Sequence, residues 1–518
     1  MKNRSALATW LRGPGLVVVL IALVQFALHL WTNAHDGIFR DEMYYVAAGQ
    51  HLSPGYVEYP PLVAVVARLS QGLFGNSVLG LRLLPALAGA TIVVLTGGMA
   101  SMLGAGLLGQ ALAAVAVALD GNFMGGSGLL TMDPFDQLWW TLGAWVLIRL
   151  IKTDRPKLWL WFGAVIGMGL NTKLTISFFL IAVLAGLLLS QSRQWLFQRW
   201  LVFGGLIALV MAAPYIIWQI EHGLPVVEYT GIYSGGKTFQ ATPPEFLIQQ
   251  ILTHNPFSVF LWVAGLILLF FVPEGRPYRA FGWVYVLLFL FFMIQKTKFY
   301  WLAPAYPPLY AAGAYAFDLL AGRRPLLAWL RPAYIGLLAI SGLAFTPFAI
   351  PILSPDAFLA LNAATGGAAA ESSKQENLVS SELPQNYADR YGWQEMVAAV
   401  QEAYQALTPE EQAKACVLTK NYGEAGAIDY FGPALGLPRA ISGHNSYFMW
   451  GPQGCTGEVI ISIGRPLKDL SDAFESVTPG PAWSCKYCMP YENGTWIYIA
   501  RGLKAPMEEA WPTTKDWN

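Results

Sequence analysis

Long apolar stretches decide what this chain can become. A helix crosses the hydrocarbon core of a bilayer in ~20 mostly apolar residues, and backbone at that depth must satisfy its own hydrogen bonds. About eleven such stretches occur, roughly at 15–34, 78–100, 104–121, 134–151, 157–171, 174–190, 201–219, 256–272, 280–295, 301–320 and 333–353. Of the 518 residues 55% are hydrophobic and only 12% charged, where soluble domains carry about 25% charged residues. The expected fold class is a polytopic α-helical membrane protein with a small C-terminal α/β extracytoplasmic domain. Lys plus Arg and Asp plus Glu both number 32, so no basic surplus exists to hold a nucleic-acid backbone.

Lysines and arginines in short loops resist translocation and so set orientation. Lys2, Arg4 and Arg12 precede the first stretch; Arg149, Lys152, Arg155 and Lys157 follow the fourth; Arg193 and Arg199 follow the sixth. Arg276 and Arg279 follow the eighth, and Arg323, Arg324 and Arg331 the tenth. Alternate loops are therefore basic. This places the N-terminus in the cytoplasm of an inner (plasma) membrane protein and leaves 35–77, the turn near 122–133, the 220–255 loop and everything after about 354 outside. The first stretch lacks a small-residue cleavage site and reads as a retained anchor.

Three regions follow: a membrane domain over 1–353, a linker over 354–389 and a soluble α/β domain over 390–518. Residues 361–386 are small, polar and poor in aromatics, a linker composition. Beyond them 416–420, 440–442, 458–464 and 496–502 read as strands, and 393–407, 424–435 and 467–477 as helices. Cys416, Cys455, Cys485 and Cys488 all lie here; outside the cell, disulfides are the favoured reading over zinc or redox roles for Cys485-x-x-Cys488.

Charges near the hydrocarbon layer are costly, so their positions are informative. FRDEMYYVAAGQHL (39–52) reads as an interfacial amphipathic helix with Asp41 and Glu42 in its first turn, where the helix dipole favours carboxylates. GYVEYPPL (55–62) carries Glu58. Asp133, before Pro134, opens the fourth stretch, with Asp136 one turn behind; His254 and Pro256 open the eighth; Lys296 and Lys298 follow the ninth. Each signal alone is open to a structural reading, Asp41 as a cap, Asp133 as a helix opener and His254 as a hydrogen-bonded residue. Together they fall on one side of the membrane. Carboxylates to accept a proton and lysines to hold a phosphate, at headgroup depth, suit chemistry on a membrane-anchored phosphate ester.

In this order the motifs resemble the GT-C glycosyltransferases of family 39, which include protein O-mannosyltransferases and the transferase that adds aminoarabinose to lipid A. The resemblance covers roughly residues 10–320 and rests on Asp41-Glu42, Glu58 to Leu62, Asp133-Pro134, His254 with Pro256-Phe257, and Lys296 to Pro304. It implies Asp41 as general base, Glu42 as its neighbour and Asp133 as a second acid of the cavity. It implies Lys296 and Tyr300 near the donor phosphate, with Lys298 and Tyr59 as further candidates. Glu58 and His254 match metal-binding positions, which leaves a divalent metal (Zn, Mg or Mn) open as cofactor. The chain departs from the aminoarabinose enzymes at Tyr44, where they carry Arg, and at Tyr59, where they carry Lys.

The implied reaction moves a hexose or pentose from a polyprenyl-phosphate donor to a lipid, glycan or protein acceptor outside the membrane, with inversion. No GxxxxGK[ST] phosphate loop occurs, consistent with a donor activated elsewhere. A transporter or flippase of a lipid-linked solute is the alternative, and a non-catalytic assembly subunit a third. In the C-terminal domain Tyr447, Phe448 and Trp450 read either as a sugar-stacking platform or as ordinary packing.

Overall fold

The computed structural model describes Trp10 and residues 13–34, 37–234, 240–367 and 381–517. Lys2, Arg4 and Arg12, used above for orientation, lie outside the described residues, as do 235–239 of the 220–255 loop and 368–380 of the expected linker.

Along the chain run α1 Pro14–Asn33, α2 Arg40–Gln50, α3 Leu62–Phe74, α4 Val78–Leu103, α5 Leu107–Ala118, α6 Gly121–Ser127 and α7 Asp133–Thr153. Next come α8 Leu158–Leu170, α9 Ile176–Leu188, α10 Arg199–Glu221, α11 Pro225–Ser234, α12 Pro243–Leu252, α13 Val259–Phe271 and α14 Arg279–Ile294. Then follow α15 Tyr306–Arg323, α16 Leu330–Ala349, α17 Pro355–Ala364, α18 Trp393–Gln405, α19 Tyr422–Phe431, α20 Ser446–Trp450 and α21 Leu467–Ala473. Two compact units emerge. The first comprises Met1–His35, Arg82–Ile217 and Phe239–Leu353; the second comprises Asp36–Leu81, Trp218–Thr238 and Ser354–Asn518.

All eleven expected stretches are helical. Among the described residues five helices are long and apolar enough to span a bilayer singly, and eight if each bent pair counts as one span. The pairs bend at α5/α6 by 61°, between α9 and the 3-10 turn Gln191–Phe197 by 117°, and between α12 and Pro256–Phe271 by 103°. Large apolar side chains stand exposed along these helices, Val210 at 71% and Ile340 at 73%, as lipid-facing surfaces require. Inside the first unit small residues let backbones touch: a Cβ on Gly163 would sit 2.0 Å from the Gly204 carbonyl oxygen, and one on Gly313 2.0 Å from that of Leu261. Membrane helices gain their packing at such positions.

The second unit holds a five-stranded sheet, β1 Ala415–Thr419, β2 Ala440–Ser442, β3 Val459–Ile463, β4 Phe474–Pro479 and β5 Ile497–Leu503, in the order β2-β1-β3-β5-β4. β1 runs parallel to β2 and β3, with Leu418 opposite Ile441 and Val417 opposite Ile461; β5 is antiparallel to β3 and β4. Every residue of β3 is buried, hence its VIISI run, apolar except for Ser462. The helix expected over 467–477 stops at Ala473, and Phe474 opens the edge strand β4. Cys416 and Cys455 form a disulfide, whereas Cys485 and Cys488 are thiols. The Cys488 thiol holds Cys485 down at about 7.

Candidate functional site

In the first unit, Asp133 starts α7 with Pro134 at the second position, where a missing N–H costs nothing. The α8–α9 turn brings Lys173 to it at 2.5 Å. Behind this pair Asp136 accepts from Thr175 Oγ1 at 2.8 Å and from Trp140 Nε1 at 3.1 Å, which ties α7 to the same turn. A 3-10 turn, Phe299–Ala305, supplies Tyr300 and Trp301. The Lys173 ammonium lies 5.3 Å from the Tyr300 ring centre and 5.8 Å from that of Trp301, and Lys298 lies 5.9 Å from Tyr300. Such distances fit cation–π attraction.

Lys296 is exposed and takes φ +50°, a left-handed conformation unusual for a side chain of its size. Just past the end of α14, its N–H donates to the Met293 carbonyl at 3.3 Å. The expected residues Asp133 and Tyr300 thus meet at one residue that charge patterning passed over, Lys173, and Lys298 lies against the same Tyr300 ring. The signal was available, since Lys173 sits in a short turn at the helix ends shared with Asp133.

A second group in this unit pins two helix breaks. Asp120 caps α6 by accepting from the Asn122 N–H at 3.0 Å, and its other oxygen lies 2.5 Å from His254 Nδ1 and 2.7 Å from the Tyr310 hydroxyl. Asn122 donates to Thr253 at 3.1 Å. A carboxylate on one ring nitrogen is the arrangement that aims the other at a metal. His254 Nε2 is buried and has no hydrogen-bond partner among the described residues. Those residues include no group of three or more His, Cys, Asp or Glu able to hold an ion.

Asp41, Glu42, Glu58 and Tyr59 belong to the second unit. Glu42, fully buried, accepts from the Phe39 N–H at 2.9 Å and so closes the start of α2. Asp41 Oδ1 accepts from the Tyr422 hydroxyl at 2.9 Å, with Arg40 Nε at 3.5 Å. Glu58 accepts from Asn445 Nδ2 at 3.0 Å and from Ser446 Oγ at 3.4 Å. Removal from water pushes its carboxyl up to about 7, against hydrogen bonds from Tyr44 and Asn445 that favour the charged form.

Tyr59 is 1% exposed and stacks on Tyr56 at 4.8 Å. Tyr44 stacks on Tyr422 at 4.7 Å, and its hydroxyl accepts from the Ser446 N–H at 3.1 Å. Of the three aromatic residues proposed as a sugar platform, only Tyr447 is buried, while Phe448 and Trp450 are half-buried. Tyr447 is wholly buried and donates to Asp429, Phe448 stacks on Trp511, and Trp450 lies over His51 at 4.5 Å.

Residues 58–218 match the family model described as dolichyl-phosphate-mannose-protein mannosyltransferase. ArnT from Cupriavidus metallidurans bound to undecaprenyl phosphate shares the fold with a TM-score of 0.61 at 14% identity, over 93% of this chain and 97% of that one. Its apo state gives 0.58 at 15% identity, over 95% and 98%. The apo oligosaccharyltransferase of Archaeoglobus fulgidus gives 0.50 at 14% identity, over 82% and 64%. No curated protein matches the sequence. The chain therefore has the GT-C glycosyltransferase fold that its motifs resemble: a polytopic helical membrane protein with a small C-terminal α/β domain.

Proposed function

We propose that this protein transfers a sugar from a polyprenyl-phosphate carrier to an acceptor outside an inner membrane, with the N-terminus cytoplasmic and the C-terminal domain external. The observation that carries the reading is the cation group of the first unit: Lys173, held by Asp133 at 2.5 Å and set against Tyr300 and Trp301, with Lys298 on the same ring. Ammonium groups on aromatic faces, in a helical unit otherwise poor in charge, suit a phosphate whose tail lies among apolar helices. Undecaprenyl phosphate bound to ArnT in the same fold supports a carrier of that class. The Cys416–Cys455 disulfide supports an oxidising surrounding for the C-terminal domain.

The reaction is an in-line displacement. The acceptor oxygen or nitrogen bonds to the anomeric carbon, the bond from that carbon to the phosphate oxygen breaks, and configuration inverts. Asp41 takes the acceptor proton. Polyprenyl phosphate leaves with its charge held by Lys173, Lys296 and Lys298. His254, whose Nε2 is buried without a hydrogen-bond partner among the described residues, is the proposed donor to a divalent metal, and no step of the reaction depends on that ion.

Purified protein in vesicles, given isotopically labelled lipid-linked sugars and candidate acceptors, tests the reading. Wild type should release carrier phosphate and label the acceptor, and Asp41→Asn should lose about 10²- to 10⁴-fold in kcat. A folded protein that moves the lipid-linked sugar across the membrane with its sugar–phosphate bond intact would establish the transporter instead.

A further inference from the structure

The C-terminal domain supplies a polar contact to the proposed base. We infer that Tyr422 is a positioning residue for Asp41, so that the domain is a working part of the acceptor site rather than a cover for it; this rests on the transferase reading. Tyr422 is the first residue of α19, and two devices fix it there. Asn421 caps the helix by accepting from Gly423 N at 2.8 Å and Glu424 N at 3.0 Å, while Glu424 accepts from Lys420 N and Asn421 N in return. Two glycines then let α19 lie directly on α2. A Cβ at Gly423 would meet Arg40 Cγ at 2.5 Å, and one at Gly426 would meet Met43 Cβ at 3.0 Å and the Tyr44 nitrogen at 3.1 Å. A larger residue at Gly423 would displace the Arg40 side chain, and one at Gly426 would press on the backbone of Met43 and Tyr44.

The consequence is a two-point hold on one carboxylate oxygen, with the donor itself fixed in place. Tyr422 donates to Oδ1 at 2.9 Å, Arg40 stands 3.5 Å from the same oxygen, and the Tyr422 ring is fixed between Tyr44 at 4.7 Å and the Arg40 guanidinium at 5.3 Å. Oδ2 accepts no hydrogen bond from the described residues. With Oδ1 engaged, the rotation of the carboxylate is set and Oδ2 is the oxygen left to receive a proton. Holding the carboxylate in one orientation spares the reaction the search for a productive geometry in each turnover. The neighbouring loop is held in the same manner, with Asn445 and Ser446 on Glu58.

The experiment uses the full-length protein and the sugar-transfer assay on wild type, Asp41→Asn, Tyr422→Phe and the double variant. Tyr422→Phe keeps the ring stack and removes only the donor. It should lower kcat about 10- to 100-fold, the effect of losing a hydrogen bond to a charged group, with the KM for the lipid-linked donor and the thermal midpoint unchanged. The double variant should be no slower than Asp41→Asn, because a residue acting through Asp41 has nothing left to position. Wild-type kcat in Tyr422→Phe, a loss confined to KM, or additive losses in the double variant each overturn the inference while the transferase reading stands. A wild type that transfers no sugar removes both.

Discussion

The two units hold their acids differently. In the first, Asp133 pairs with a lysine 40 residues away across one helical hairpin, and Asp120 meets His254 between two helix breaks. In the second, Asp41 and Glu58 take their partners from 381 and 387 residues away. Helix ends can assemble a charge cluster from neighbouring turns, whereas the first loop reaches its partners only after the whole membrane region has been threaded. A charge placed by hairpins is partly readable from order along the chain, and one placed by a distant domain is not.

Removing the shared acceptor of the first unit should give the largest change. Asp120→Ala leaves His254 Nδ1 and the Tyr310 hydroxyl without their carboxylate and takes away the cap of α6. The cost is about 3–5 kcal/mol, from a stranded His254 Nδ1, a Tyr310 hydroxyl left with only its longer bond to Ser258 Oγ at 3.3 Å, and a lost cap. Unfolding in detergent with hydrogen-exchange readout should show α6, α12 and α13 losing protection first; unchanged exchange there would mean the pair does not hold the breaks.

In the second unit the matching test is covalent. Cys416→Ala with Cys455→Ala opens a loop with a sequence separation of 39, worth about 4 kcal/mol in the chain-entropy account. Exchange should rise across β1 and β3. A loss well under 1 kcal/mol would show that the sheet register, with Cys416 opposite Ile460, is secure without the bond.

Much of the helical layout was legible because apolar length is a direct physical requirement of the bilayer, and each expected stretch is helical. Lys173 was missed although its turn carried the same sign as Lys296, a lysine where an anionic partner is needed. β4 was hidden because only Phe474 among its residues is buried, so no alternation marks it. The Asp41–Tyr422 contact left no local trace. What could be seen was the pair Gly423 and Gly426, whose spacing invites a close helix neighbour without naming it.

A smaller effect should follow pH. Burial pushes Asp429 up to about 6 from its usual 3.8, while the Ala440 N–H and Tyr447 hydroxyl favour the charged form less strongly. The folded protein therefore keeps a proton that the unfolded chain has released between about pH 4 and pH 6, so stability falls as pH rises through that window and levels above it. Asp429→Asn should lack this contribution, at most about 3 kcal/mol. Thermal midpoints of variant and wild type from pH 4 to pH 7 check it; parallel curves would place the pH dependence on other groups.

The smallest change should come from α1, and its sign is informative. Gln25 and His29 are 4% and 0% exposed on one face of that helix, and their side-chain nitrogens and oxygen have no hydrogen-bond partner among the described residues. Ser127 Oγ, in the same condition, lies close to Gly89 along with Gln25 Nε2. Buried polar groups left in this state cost stability, and exchanging them for apolar groups of similar shape is close to neutral or favourable. Gln25→Leu and His29→Leu should therefore hold or raise the unfolding midpoint, whereas Asn445→Leu, which strips a donor from Glu58, should lower it. If the α1 variants lose 2 kcal/mol or more, the stripe is satisfied by internal water, and the first unit, like the second, keeps its polar groups through partners that helix packing alone does not supply.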